Sequence, residues 1–214
     1  MLPVALLFAA LAAEPRLVSV SPSHAACPAT PFETLATTAR TCAALEVSGR
    51  IEGATVELDP AFNVRVAPAQ FARPEPGPAV LTGYAADGRS LFAFGFSASG
   101  PFRLDVPLSQ QLTDALVRLT LTANGITAER VAVPHDVPTA EAITTDEGHV
   151  LFAWDARAFP AIRVSLGPED PPIAFVQGNE TFQQIGIRSG ARLFVVSFSD
   201  GVRSVVRTVK IFGR

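Results

Sequence analysis

Lysine is almost missing from this sequence: Lys210 is the only one, so the other basic residues are arginines, and acidic residues outnumber basic ones for a net charge of −3. No overall positive field exists to gather a phosphate backbone or an anionic membrane surface, which argues against nucleic acid as a partner. The arginine bias is read as genomic base composition and carries no functional weight. Charge of either sign is sparse, at 17% of residues against 48% hydrophobic, and a chain so apolar offsets the entropy of ordering and folds.

Histidine is also scarce. His24, His135 and His149 stand far from one another and from either cysteine, so no zinc-type spacing arises and no metal or other cofactor is expected. His135-Asp136, flanked by prolines, reads as a solvated turn. No Gly-x-Ser-x-Gly is present; the nearest stretch, Gly95 to Gly100, reads as a loop at a strand exit. Gly83, Gly88, Gly95 and Gly100 precede no helix and make no phosphate cradle. Asp105, Asp146, Glu147, Glu169, Asp170 and Asp200 are too scattered to supply the about six to eight oxygens calcium takes, and turn chemistry accounts for most of them. No catalytic residues are assigned.

Long hydrophobic runs are limited to Met1–Ala13 (MLPVALLFAALAA), shorter than the roughly 20 residues that span a bilayer. The run closes on Ala10-Leu11-Ala12, the small-x-small pattern of a signal peptide, with cleavage expected near Ala12 or Ala13. The chain is therefore expected outside the cytoplasm, secreted, periplasmic or at a bacterial cell surface, with no membrane span after leader removal. Cysteine occurs only at Cys27 and Cys42, fifteen positions apart, and in an exported chain an even pair is expected to form a disulfide. A loop of that size contributes roughly 3 kcal/mol in the chain-entropy model. Within the linker of residues 14–43, Thr30 as N-cap, Pro31 at the first helical position and Glu33 at the capping-box position predict a short helix over 31–40, tethered by the cysteines.

What the sequence does have is period-two alternation cut by turn residues. Leu45–Gly49 and Thr55–Asp59 alternate apolar and polar, placing one face on a core and the other in water, with Gly53 at the turn. The stretch 68–78 (PAQFARPEPGP) is too rich in proline for a central strand. Ala79–Tyr84 and Ser90–Phe96 form a hairpin across Asp87-Gly88, and Leu116–Thr122 with Ile126–Val133 a second across Asn124-Gly125. Phe102–Val106 alternates between them. Pro134–Pro138 (PHDVP) marks a domain boundary. Beyond it, Val150–Trp154, Ile162–Leu166, Ile173–Val176 and the hairpin Arg192–Phe198/Val202–Phe212 around Ser199-Asp200-Gly201 predict a second sheet unit. The fold class is all-β: two tandem antiparallel β-sandwich domains, over 44–133 and 139–214, joined by linker 134–138. Helical period outside 31–40 is confined to one turn near Gln110–Asp114. Tyr84 and Trp154, the single Tyr and Trp, lie in apolar runs and are read as core.

Two stretches resemble C-terminal β-sandwich modules of exported bacterial proteins, often attached to secreted proteases. One is carried by Gly49–Gly53, Val56–Phe62 and Asp87–Phe92; the other, similar to the Ig-like unit that follows, by Phe152–Ala156, Pro160–Val164 and Ser199–Ser204. The resemblance implies an accessory or targeting role beside a catalytic domain that these residues do not include. The expected function is non-enzymatic binding of a protein or cell-surface partner, through the groove near Pro134–Pro138 or an open strand edge. The alternatives are a carbohydrate-binding module, which needs an exposed aromatic platform, and a hydrolase built on His135 or His149 with a serine and an acid.

Overall fold

A computed structural model describes residues 41–67, 70–144, 150–167, 170–177, 182–185 and 193–212. The leader 1–13, the helix expected over 31–40 and Cys27 lie outside the described residues. Cys42, 2% exposed, opens the first strand.

Among the described residues the protein is all-β, in antiparallel sheets, with one short helix. The strands are β1 (Cys42–Glu52), β2 (Thr55–Leu58), β3 (Phe62–Val66), β4 (Ala79–Tyr84), β5 (Ser90–Phe96), β6 (Gly100–Pro107), β7 (Arg118–Ala123) and β8 (Ile126–Val131), then β9 (Ala140–Thr144), β10 (Val150–Trp154), β11 (Ala161–Ser165), β12 (Ala174–Gln177), β13 (Phe182–Ile185), β14 (Leu193–Ser199) and β15 (Ser204–Phe212). The helix α1 (Gln110–Ala115) is capped by Ser109, whose Oγ accepts the Leu112 N–H at 3.3 Å.

Turn chemistry sets the hairpins. Asn124 and Gly125 both take positive φ, 52° and 76°, the pair a tight β7–β8 hairpin demands, and Gly53 and Gly88 are likewise left-handed at 58° and 81°. In the first unit β1 pairs with β2, β3 and β6, and faces a second sheet in the order β5-β4-β7-β8. Leu45, Val47, Leu81, Phe92, Phe94, Leu119 and Leu121 fill the space between them. Gly83 is required there: a Cβ on it would lie 2.3 Å from the Phe92 ring and 2.7 Å from Leu116.

The second unit is one strand path, β12-β11-β14-β15-β9-β10-β13, in which only β15–β9 runs parallel among the described pairings. Its two halves fold over a shared core, where Phe152 of β10 meets Phe194 of β14 edge-on at 5.4 Å. Trp154 is buried, as its apolar run predicts, and its Nε1–H donates to the Phe159 carbonyl at 3.0 Å.

Each unit keeps its own core, but the second reaches into the first at one turn. Val202, in the β14–β15 turn, is fully buried among the first unit's core residues. Backbone bonds seat that turn: Ala61 N–H donates to Gly201 O at 3.1 Å, and Val133 N–H to Asp200 O at 3.2 Å. Asn63 on β3 donates from its backbone to Ser204 Oγ and from Nδ2 to Ser204 O, each at 2.9 Å. The turn thus closes the open end of the first sandwich and covers the edge of β3, which would otherwise present unpaired backbone groups.

Two readings of single strands are corrected. The outward face of β1 is not in water, for Glu46 is 4% exposed beneath the second unit. Tyr84 is not a core residue: on β4 it is Ala79, Leu81 and Gly83 that point inward, and Tyr84 stands on the outer face.

Cutting the plug tests this joint. Val202→Ala is expected to lower stability by about 2 kcal/mol, the scale of a core truncation, while keeping a single urea transition that is coincident for Trp154 fluorescence and far-ultraviolet signal. Two transitions in the native chain would show the units to be uncoupled.

Candidate functional site

Charged and aromatic side chains meet where β1, β3 and β6 face β11 and β12. Cross-strand register places Asp105 and Phe62 on either side of Glu46, on the same outer face. From the second unit Arg163 ion-pairs with Glu46. Arg103 of β6 holds the other carboxylate oxygen at 2.6 Å. The Arg163 guanidinium also lies over the Phe62 ring, 4.0 Å from its centroid, and 5.8 Å from that of Phe175, and those two rings meet edge-on at 5.9 Å. Asp105 sits beside the pair; burial pushes its carboxyl above the ordinary aspartate value, against the pull of Arg103. One of its oxygens is buried with no hydrogen-bond partner.

This is a structural lock. Its acids are answered by arginines, and Glu46 is shut away from any ligand. Sequence reading missed it because Glu46 and Arg163 look like ordinary outward residues of alternating strands.

The linker residue His135 is also not a solvated turn. Its Nε2 stands 3.5 Å from Asp200 Oδ2, and its ring packs on Phe159 at 4.4 Å. Asp200 meanwhile accepts the Val202 and Arg203 N–H groups, each at 2.9 Å, so its carboxylate is committed to the turn. The nearby Ser199 hydroxyl donates to Ala61 O at 2.6 Å, turned into the junction and away from any nucleophilic role. His149 lies outside the described residues. In the segment Pro134–Pro138, Pro138 is buried, while Pro134, Asp136 and Val137 are exposed.

Among the described residues, an outer sheet face in each unit carries exposed side chains. On β12-β11-β14-β15, register aligns Phe175, Arg163, Ser197 and Val206 in one row, Ser165, Val195 and Thr208 in the next, then Leu193 and Lys210. The first unit covers the Arg163 end, where Phe175 beside Phe62 is still 51% exposed, and away from it Val206 and Leu193 are each 47% exposed. β12 is the edge strand of this face.

On β5-β4-β7-β8 the outer face carries Thr82, Thr120, Thr122, Thr127, Tyr84, Arg118 and Glu129. Arg118 lies 4.3 Å above the Tyr84 ring and 3.5 Å from Glu129. Among the described residues no three His, Cys, Asp or Glu side chains gather into a cation site, and no helix is long and apolar enough to cross a membrane.

No family model matches the chain, and neither a curated protein nor a solved structure is similar to it.

Removing Arg163 leaves a buried carboxylate under-compensated, so Arg163→Met is expected to cost about 3 kcal/mol in urea unfolding. Arg50→Ala, which breaks the exposed Arg50–Glu52 pair, should change stability by less than about 0.5 kcal/mol. Asp105 keeps its proton to higher pH when folded, so the stability tied to that proton is present at low pH and lost as pH rises through the raised value. Asp105→Asn is therefore expected to flatten the fall in stability above pH 4, measured as urea midpoint against pH.

Proposed function

We propose that this chain is a non-enzymatic, exported binding module, two immunoglobulin-like sandwiches in tandem, that attaches to a protein partner through the outer face of β12-β11-β14-β15. The observation that carries this reading is the exposure of three apolar side chains, Phe175, Val206 and Leu193, on one sheet face, with Phe175 on its edge strand β12. Apolar side chains that remain uncovered on a sheet face, next to a strand with unpaired backbone groups, favour docking by side-chain burial and strand addition. The lock at Glu46 supports it by holding both units in one orientation, which lowers the entropy lost when a partner spans them.

Export is supported by the leader-like run at Met1–Ala13, and a Cys27–Cys42 disulfide, formed when an extracytoplasmic oxidant takes two electrons and two protons from the thiols, belongs to the same reading. A bacterial source and an accessory role beside a secreted protease or surface protein follow from the resemblance of Gly49–Phe62 and Phe152–Val164 to such modules.

A second reading has its own observation. Tyr84 stands on an outer face among hydroxyls, with Arg118 and Glu129 beside it, and an aromatic ring with planar polar neighbours is how sugar rings are held. It is the weaker of the two because Arg118 already covers the ring.

Leu193→Asp with Val206→Asp should reduce binding to the protein partner recovered from the producing culture at least tenfold, by surface plasmon resonance, with the unfolding midpoint unchanged. Binding that survives this pair but is lost with Tyr84→Ala, and is competed by soluble polysaccharide, would replace the first reading with the second.

A further inference from the structure

The proline-rich stretch before β4 covers one side of the first sandwich, between the edge strands β5 and β6. Ala72 N–H donates to Asp105 O of β6 at 3.0 Å, and Glu75 N–H donates to Gly95 O of β5 at 2.9 Å. Glu75 Oε1 accepts the Ser97 N–H at 3.3 Å. Gly77 lies so close to the end of β5 that a Cβ on it would stand 2.1 Å from Phe96 O. On its inner side, then, the stretch is an edge cover, and Glu75 and Gly77 serve that role.

The outer side is not explained by it. Arg73, Pro74, Pro76 and Pro78 are exposed, and among the described residues Arg73 has neither an acid nor a hydrogen-bond partner. Proline holds φ near about −65°, and Arg73, Glu75 and Gly77 each precede a proline, which confines them to extended or polyproline backbone. The three bonds into proline are trans, and Gly77 does not take positive φ. Residues 73–78 therefore form a polyproline II rib, about 19 Å long at 3.1 Å per residue, held to the sandwich at Ala72, Glu75 and Gly77.

The backbone of the rib selects its partner. Pro74, Pro76 and Pro78 have no N–H, and that of Glu75 is bonded to β5. A segment with so few free donors cannot extend a sheet by strand addition. Its acceptors are free: among the described residues no backbone N–H donates to the carbonyls of Arg73, Pro74, Glu75 or Pro76. Proline rings and open carbonyls on a stiff helix suit a groove lined by Tyr and Trp, whose rings pack on proline while their O–H and N–H groups donate to the carbonyls. The unpaired Arg73 guanidinium suits a carboxylate at one end of that groove.

We propose that Arg73–Pro78 is a docking ligand for a protein partner whose groove is lined by Tyr and Trp and rimmed by a carboxylate. Because the rib is already ordered, docking it loses little conformational entropy. It lies on the first unit and does not rest on the β12-β11-β14-β15 face.

Purified SH3 and WW domains, which present grooves of this chemistry, are the probe, immobilised as a panel and read by surface plasmon resonance against the full chain. At least one domain should bind the native chain, and Arg73→Glu and Pro76→Ala should each weaken that binding at least tenfold. Leu193→Asp with Val206→Asp, on the second unit, should leave it unchanged. Arg73→Glu keeps every anchor of the rib, so it reads the contact itself; where Pro76→Ala lowers the urea midpoint, Pro74→Ala is read in its place. No binding by any domain of the panel, or binding that either the Arg73 or the proline variant retains, would overturn the proposal and leave the rib as an edge cover only.

Discussion

A carboxylate placed under a second sheet unit has to be met by a cation from that unit or leave water at a large cost, and Glu46 is such a carboxylate. Arg163 answers it from β11 while stacking on Phe62, and Arg103 answers it from β6. The ion pair itself contributes little net stability against an apolar alternative. Its effect is on register: only one placement of the second unit brings the guanidinium to both the carboxylate and the ring. The β14–β15 turn works in the same direction, with Val202 in the first core and Ser199, Gly201 and Ser204 bonded to the segment 61–63. Two sheet units that the sequence suggests as beads on a linker are in this way joined.

That rigidity decides which surfaces are available. In the linker, His135 packs on Phe159 and faces Asp200 while Pro134, Asp136 and Val137 stay exposed, and the edge of β3 is covered by the turn. What remains is the far part of the β12-β11-β14-β15 face and the threonine-lined face around Tyr84. Both lie on the outsides of sheets, where alternation puts every second side chain, and they differ in chemistry: one apolar beside an open edge, the other polar with its ring under Arg118.

Much of the architecture was legible because it follows from local rules. The hairpins at Asp87-Gly88 and Asn124-Gly125 need left-handed residues and have them, and β4, β5, β10 and β2 fall within a residue of their alternating runs. β3, β9 and β13 were not seen. β3 is only five residues long, and β13 pairs with β10, about thirty positions earlier in the chain. Of the functional surface, Trp154 was placed correctly and Tyr84 was not, because TGY at the end of an apolar run does not reveal which face the last residue takes. The phase was in the pattern: Ala79, Leu81 and Gly83 are inward, and only the packing of Phe92 against Gly83 shows why a glycine holds a core position.

By itself the sequence determined that this is an apolar chain of short alternating strands with turns at set places, since period-two patterning and positive-φ residues act within a few positions of one another. Tertiary structure alone decided which outward residues stay in water. Glu46, Arg163, His135 and Val202 carry ordinary surface or turn signatures, and each is wholly or partly covered by residues that lie far from it in the chain. Burial of that kind depends on how two finished sheets meet, and no local pattern encodes it.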